Sequence, residues 1–268
     1  MKAARISVAT VLAVLWLAPL AWALDTALKP ESQTTMVPLS WFTPGMSLDA
    51  FAKILSTSNE VRWFANSLLV GVAVTVMAVF LTSLAGFGLS RTRFRGRKAL
   101  LAVIVAGIVV PPQMLIVPMF SEMVGLNLVD TYLGVALPQV VLPAMVYVMK
   151  KFFDGVPREL EEAAVIDGAG RFRVYWSLML PLARPALAAI TVFTFITTWN
   201  NFLWPFVVLT DPNMMTLPVG LTTVQSNYGL RYAQIMAAAL LAGLPLLAFF
   251  LVFQRQVVAG VTRTGLKG

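Results

Sequence analysis

The side chains that could do chemistry are few, and most enzymes could not use them. The 268 residues include no cysteine and no histidine. That removes disulfides, thiolate nucleophiles, imidazole bases and nearly all transition-metal sites. Only Ser–Lys chemistry survives as a nucleophilic arrangement, and no G-x-x-x-x-G-K-[ST] loop for nucleotide phosphates occurs. Two groups of residues stand out. The stretch EAAVIDGAGRFRVYWSLMLPLARP, residues 162–185, mixes acids, bases and small residues between segments almost free of charge. Thr191, Thr194, Thr198 and Asn201 recur at spacings of three, four and three, so they share one helical face. With Asn200 beside them and Trp199 as a stacking platform, this face suits a hydroxyl-rich ligand such as a sugar. The threonines equally suit bonding back to their own helix carbonyls or across to a neighbouring helix.

The elements that must position these groups are membrane helices. The chain is 59% hydrophobic and 12% charged, with a mean hydropathy of +0.81, well outside the range of soluble domains. A helix needs about 20 apolar residues to cross the hydrocarbon. Six runs qualify, at 6–24, 64–89, 99–120, 131–149, 186–207 and 234–254, and none has an acid or base in its interior. Sixteen of the twenty bases fall on one side of this pattern, and the other side receives only Lys29, Lys53, Arg62 and Arg231. By the positive-inside rule both termini are cytoplasmic. The net charge of +8 therefore reports topology rather than nucleic-acid binding. Lys2, Arg5 and Ala21-Trp22-Ala23 also fit a signal peptide with a small-residue cleavage site; the expectation adopted is a retained first span.

The stretch at 162–185 falls in the longest inside loop, 154–181, between the fourth and fifth spans. Pro157 fits a first-turn position, Glu159, Glu161 and Glu162 follow near the positive helix end, and Gly168 permits a stop. A second short helix is expected over 170–179. The resulting helix–turn–helix would expose Ala163, Ala164, Val165, Ile166 and Phe172 to a partner's backbone. An interfacial helix on lipid headgroups, with Arg171, Arg173, Tyr175 and Trp176, is the competing physical reading.

Glu162-Ala163-Ala164, three residues, Gly168, nine residues, Leu178, one residue and Leu180-Pro181 resemble the EAA loop, E-A-A-x3-G-x9-I-x-L-P, of the permease subunits of bacterial binding-protein-dependent ABC importers. The one departure is Leu178 for Ile. Thr198-Trp199-Asn200-Asn201-Phe202-Leu203-Trp204-Pro205 and Thr216-Leu217-Pro218-Val219-Gly220-Leu221 resemble the fifth span and outer loop of the carbohydrate-importing branch. The tail QRQVVAGVTRTGLKG is similar to that of the smaller, six-span permease of maltose and glycerol-3-phosphate systems. Leu28-Lys29-Pro30 and Pro111-Pro112 extend the likeness over nearly the whole chain.

The resemblance implies an all-α fold of six transmembrane helices, with a coupling helix–turn–helix between the fourth and fifth, in the bacterial cytoplasmic membrane. It implies no cofactor on this chain, ATP and Mg²⁺ in a partner ATPase dimer, a second homologous permease, and an extracytoplasmic substrate-binding protein. Carried over residue by residue, Glu162, Ala163, Ala164, Asp167, Gly168, Leu180 and Pro181 would couple to the ATPase. Within the cytoplasmic tail 255–268, residues 260–268 would contact that dimer, and Asn213, Gln225, Asn227 and Tyr228 would face the binding protein. Two other classes fit the composition less well. An ion-coupled secondary transporter needs titratable groups near the membrane midplane, and none of the twelve acids lies inside an expected span. A non-catalytic structural subunit would use the elbow for assembly alone.

Overall fold

The computed structural model describes the backbone of residues 2–56, 58–228 and 231–264, and side chains over 4–56, 59–222 and 231–254. Inside a bilayer each backbone N–H and C=O must be satisfied by the protein, and a helix does this locally. Among the described residues every regular element is helical. In chain order these are α1 (Lys2–Leu28), α2 (Asp49–Ser56), α3 (Ser58–Arg91), α4 (Arg97–Val109), α5 (Ile116–Gly125), α6 (Tyr132–Val140) and α7 (Pro143–Asp154). Then follow α8 (Arg158–Ile166), α9 (Arg171–Val174), α10 (Leu180–Leu182), α11 (Arg184–Trp199), α12 (Leu203–Val208), α13 (Leu217–Tyr228) and α14 (Tyr232–Thr264). A π-helical turn, Tyr175–Met179, joins α9 to α10.

Among the described residues, three stretches are long and apolar enough to cross a bilayer unbroken: Ala4–Leu28, Asn59–Arg91 and Tyr232–Gln254. Three further pairs of helices are apolar enough only when taken together and are bent at the break between them. The angle is 102° between Arg97–Val109 and Pro112–Gly125, 44° between Tyr132–Val140 and Pro143–Asp154, and 75° between Arg171–Leu182 and Arg184–Trp199. The run expected as one span over 99–120 is thus two helices. Proline stands at or beside each break, at Pro111 and Pro112, at Pro143 and at Pro185. It supplies no N–H, and the residue before it is extended at Val110 and Leu142, whereas Arg184 before Pro185 is already helical. Pro19, Pro138 and Pro245 lie inside continuous helices, so proline permits a bend without compelling one. The helices also outrun the apolar windows. Asp25 in α1 and Glu60 in α3 are acids within helical turns that the sequence pattern left outside the spans.

The chain divides into two compact units, residues 1–66 with 215–247, and residues 67–214 with 248–268. The first packs small side chains, Ala27, Ala50, Ala233, Ala237 and Ala238, around Ile54. Near the end of α1, Asp25 pairs with Lys29 and accepts the Phe42 N–H at 2.9 Å. The Lys29 ammonium also lies 4.8 Å from the Trp22 ring. The second unit holds two cores. One joins Val70, Val74, Met123, Val135, Trp204 and Val208, and the other joins Phe87, Met149, Phe153, Tyr175, Met179 and Ile190. The second of these anchors the site.

A helical elbow held on a buried core

The elbow is built from α8 outward. Pro157 is its N-cap, one position before the first-turn site expected, with φ −55° and ψ 137°. Glu159 and Glu161 occupy the first turn, where the helix dipole favours negative charge. The helix then closes on itself. The Gly168 N–H donates to Val165 O at 3.0 Å and the Ala169 N–H to Ala164 O at 2.9 Å, while Gly168 adopts φ +79°. This paired 5→2 and 6→1 closure is a Schellman cap, which needs a residue in the left-handed region. Gly170 caps α9, and that helix runs through the π turn into α10, much as the 170–179 expectation had it.

One side of the elbow is fixed and the other is bare. Ala164 and Ala169, which the cap brings together, pack on the core of Phe153, Tyr175 and Met179. This corrects the expectation that Ala164 is exposed: Ala163 faces outward and Ala164 faces in. The reason is helical phase, since neighbours in sequence point about 100° apart. Leu180 and Leu178 also pack against this core, whereas Pro181, Glu162 and Asp167 are exposed. Tyr175 is fully buried, its hydroxyl 2.6 Å from Ser83 Oγ and its ring centroid 5.2 Å from that of Phe87. That contact fixes the elbow to α3. Outward stand Val165, Ile166 and Phe172, with Ile166 85% exposed.

Residues that the sequence did not single out hold the start of α8. Arg91, at the end of α3, donates to the carbonyls of Phe153 and Val156 and lies 3.5 Å from Glu161. Ser90 and Lys150 both bond Asp154, at 2.8 and 2.6 Å. In the sequence Arg91 was one base in a run that set topology, and no local pattern points to partners more than sixty positions away.

The proposed substrate face is placed differently from its simplest reading. Trp199 is 3% exposed and stacks on Phe195, with centroids 5.8 Å apart. Thr194 and Thr198 are buried, and Thr191 bonds back to Leu187 O at 2.7 Å. Asn201 donates to Gln139 Oε1 at 2.8 Å, bridging the α11–α12 break to α6, while exposed Asn200 bonds back to Ile196 O. Gln139, on α6, is a polar residue that sequence reasoning missed. Asn213 is exposed and bonds Asp211, whereas the side chains of Gln225, Asn227 and Tyr228 lie outside the described residues. So do the side chains of the tail from 255 on, although α14 continues to Thr264. Among the described residues no cluster of acids could hold a metal ion.

Residues 78–263 match the family of binding-protein-dependent transport system inner membrane components. The chain belongs to that family. This permease is a multi-pass protein of the inner membrane and a component of an ABC importer. It is 35% identical over 267 residues to the arabinooligosaccharide transport system permease protein AraQ of Bacillus subtilis (strain 168), covering 96% of this chain and 92% of that protein. It is 32% identical to the sulfoquinovosyl glycerol permease SmoH of Agrobacterium fabrum, covering 100% and 94%. It is 31% identical to the trehalose/maltose permease MalG of Thermococcus litoralis, covering 97% and 95%. The crystal structure of a bacterial ABC transporter involved in alginate import has the same fold, with a TM-score of 0.84 at 22% identity over 95% of the permease and 96% of that chain.

Proposed function

We propose that this permease forms half of the membrane pathway of an ATP-driven carbohydrate importer and couples ATPase closure to alternating access through the elbow at 154–181. A second homologous permease completes the pathway. Two ATPase subunits carry ATP and Mg²⁺ on the cytoplasmic side, where both termini of this six-span chain lie. A binding protein delivers the sugar from outside. One observation carries this reading: a capped helix is fixed by Ala164 to a buried core while its free side presents Ala163, Val165 and Ile166, with Phe172 of α9 also exposed. A helix held in this way moves as one piece with the core, so a partner gripping its free side can drive the bundle.

In this reading Glu162 pairs with a basic group on the ATPase, Ala163 admits close backbone approach, and Asp167 with Gly168 sets the bend. Leu180 and Pro181 seat the elbow on the membrane part, and residues 260–268 of the tail contact the ATPase dimer. Asn213, Gln225, Asn227 and Tyr228 meet the binding protein. Thr191, Thr194, Thr198, Trp199, Asn200 and Asn201 belong to the helix that borders the path, with Asn200 the member offering an exposed amide in this chain. The relatives' named cargoes are arabinooligosaccharides, sulfoquinovosyl glycerol and trehalose or maltose, which supports a carbohydrate. No base lies inside an expected span, which favours a neutral one.

The test is to purify the permease with its membrane partners and measure ATP hydrolysis with candidate binding proteins loaded with neutral or anionic sugars. Co-purification of a second permease and an ATPase, with stimulation by a neutral-oligosaccharide complex, is expected. A permease that purifies only with itself would contradict the assembly, and stimulation by anionic sugars alone would contradict the substrate class.

A further inference from the structure

Coupling requires parts that carry movement of α8 into a membrane-crossing helix: Ala164 does so by packing on the core, and the junction between α3 and the start of α8 holds no EAA residue. Arg91 stands at that junction. It is the last residue of α3, and its guanidinium side chain is only 4% exposed. The Nη2 group donates to Phe153 O in the last turn of α7 and to Val156 O in the link to α8. Nη1 faces Glu161 on α8 itself, at 3.5 Å. Three successive pieces of chain thus converge on one side chain.

A buried charge cannot simply let go, because an uncompensated guanidinium in a desolvated site is strongly unfavourable. Its planar fork also fixes the directions of its bonds, which a lysine cannot reproduce. Displacing α8 must therefore carry Arg91 along or pull Glu161 away from it, with the link carbonyl of Val156 held at the same side chain. The neighbouring Ser90–Asp154–Lys150 bonds tie the same two helix ends, so the junction behaves as a packed network rather than a loose contact. Arg91 also lines a cleft of about 400 Å³ with Arg93, Arg97, Arg158 and Glu162.

We propose that Arg91 is a positioning residue that transmits displacement of α8 to α3. This rests on the reading of α8 as the ATPase dock. The experiment compares wild type, Arg91→Ala, Arg91→Lys and Glu162→Lys in the full importer reconstituted in vesicles, reading assembly, basal ATPase, binding-protein-stimulated ATPase, and sugar taken up per ATP hydrolysed. Arg91→Ala is expected to assemble and hydrolyse ATP at the basal rate, with uptake per ATP falling about tenfold, the effect of about 1.4 kcal/mol of lost coupling. Arg91→Lys is expected to recover part of that loss. An unchanged uptake-to-ATP ratio in both arginine variants overturns the proposal. So does failure of both to assemble, which would make Arg91 a folding residue. If Glu162→Lys leaves ATPase attachment and coupling intact, the docking reading itself fails, whatever Arg91 does.

Discussion

Gly168 illustrates how one residue sets the elbow. It holds φ +79°, and a Cβ built there would meet nothing within 4 Å. A side chain at this position would therefore cost backbone strain and not collision, about 1 kcal/mol for most residues and less for asparagine. Gly168→Ala is expected to reach the membrane in normal amount with reduced uptake, and Gly168→Asn to recover much of it; equal uptake by all three would contradict the account. Asp130 acts at another turn of the same unit. Burial raises its pKa, but hydrogen bonds from the Thr210 hydroxyl and from the Asp211 and Thr210 N–H groups outweigh that and leave it below the ordinary value. With a depressed folded pKa, its contribution is complete above the ordinary value of about 3.9 and fades as pH falls through the lower folded one. Because Asp130 has φ +56°, which asparagine tolerates, Asp130→Asn removes the charge without new strain. Amide exchange at Thr210 and Asp211 is expected to quicken at pH 7 in that variant, and an unchanged rate would contradict the role assigned to the carboxylate.

At the scale of elements, the elbow was legible because its signals are local: Pro157, the acids after it and Gly168 each act within a turn or two. The bends were not legible, because an apolar window records composition and not direction, and prolines occur in both bent and straight helices here. The inward face of Ala164 and the bonds of Arg91 depend on what α8 packs against, and no local spacing encodes that. The α3–α7 contact provides a sharp test of packing. A Cβ on Gly86 would stand 2.9 Å from Met149 Cβ, whereas one on Gly88 would meet nothing within 4 Å. Gly86→Val is expected to destabilise by about 1–3 kcal/mol through overpacking. Gly88→Ala, in a helix interior, is expected to be neutral or stabilising by up to about 1 kcal/mol. Thermal unfolding of the detergent-purified assembly measures both, and similar midpoints for the two variants would contradict the close approach.

At the scale of the whole molecule, the chain is a permease component of a carbohydrate ABC importer, and the elbow is where it is proposed to meet its partners. The fold class and family could be read from composition and seven motif positions; the placement of Trp199 and Asn201 could not, because burial among Phe195 and Gln139 arises only from tertiary contacts. The most direct measurement uses the absence of cysteine. Ile166→Cys puts a single thiol at the exposed tip of α8, to be treated in native membranes with a short thiol-to-amine cross-linker. A cross-linked product containing the ATPase subunit, with a yield that differs between the ATP-free and ATP-trapped states, is the predicted result. A thiol that cross-links to no protein and reacts instead with a lipid-embedded probe would show that α8 lies on the membrane surface, and the coupling account would fall.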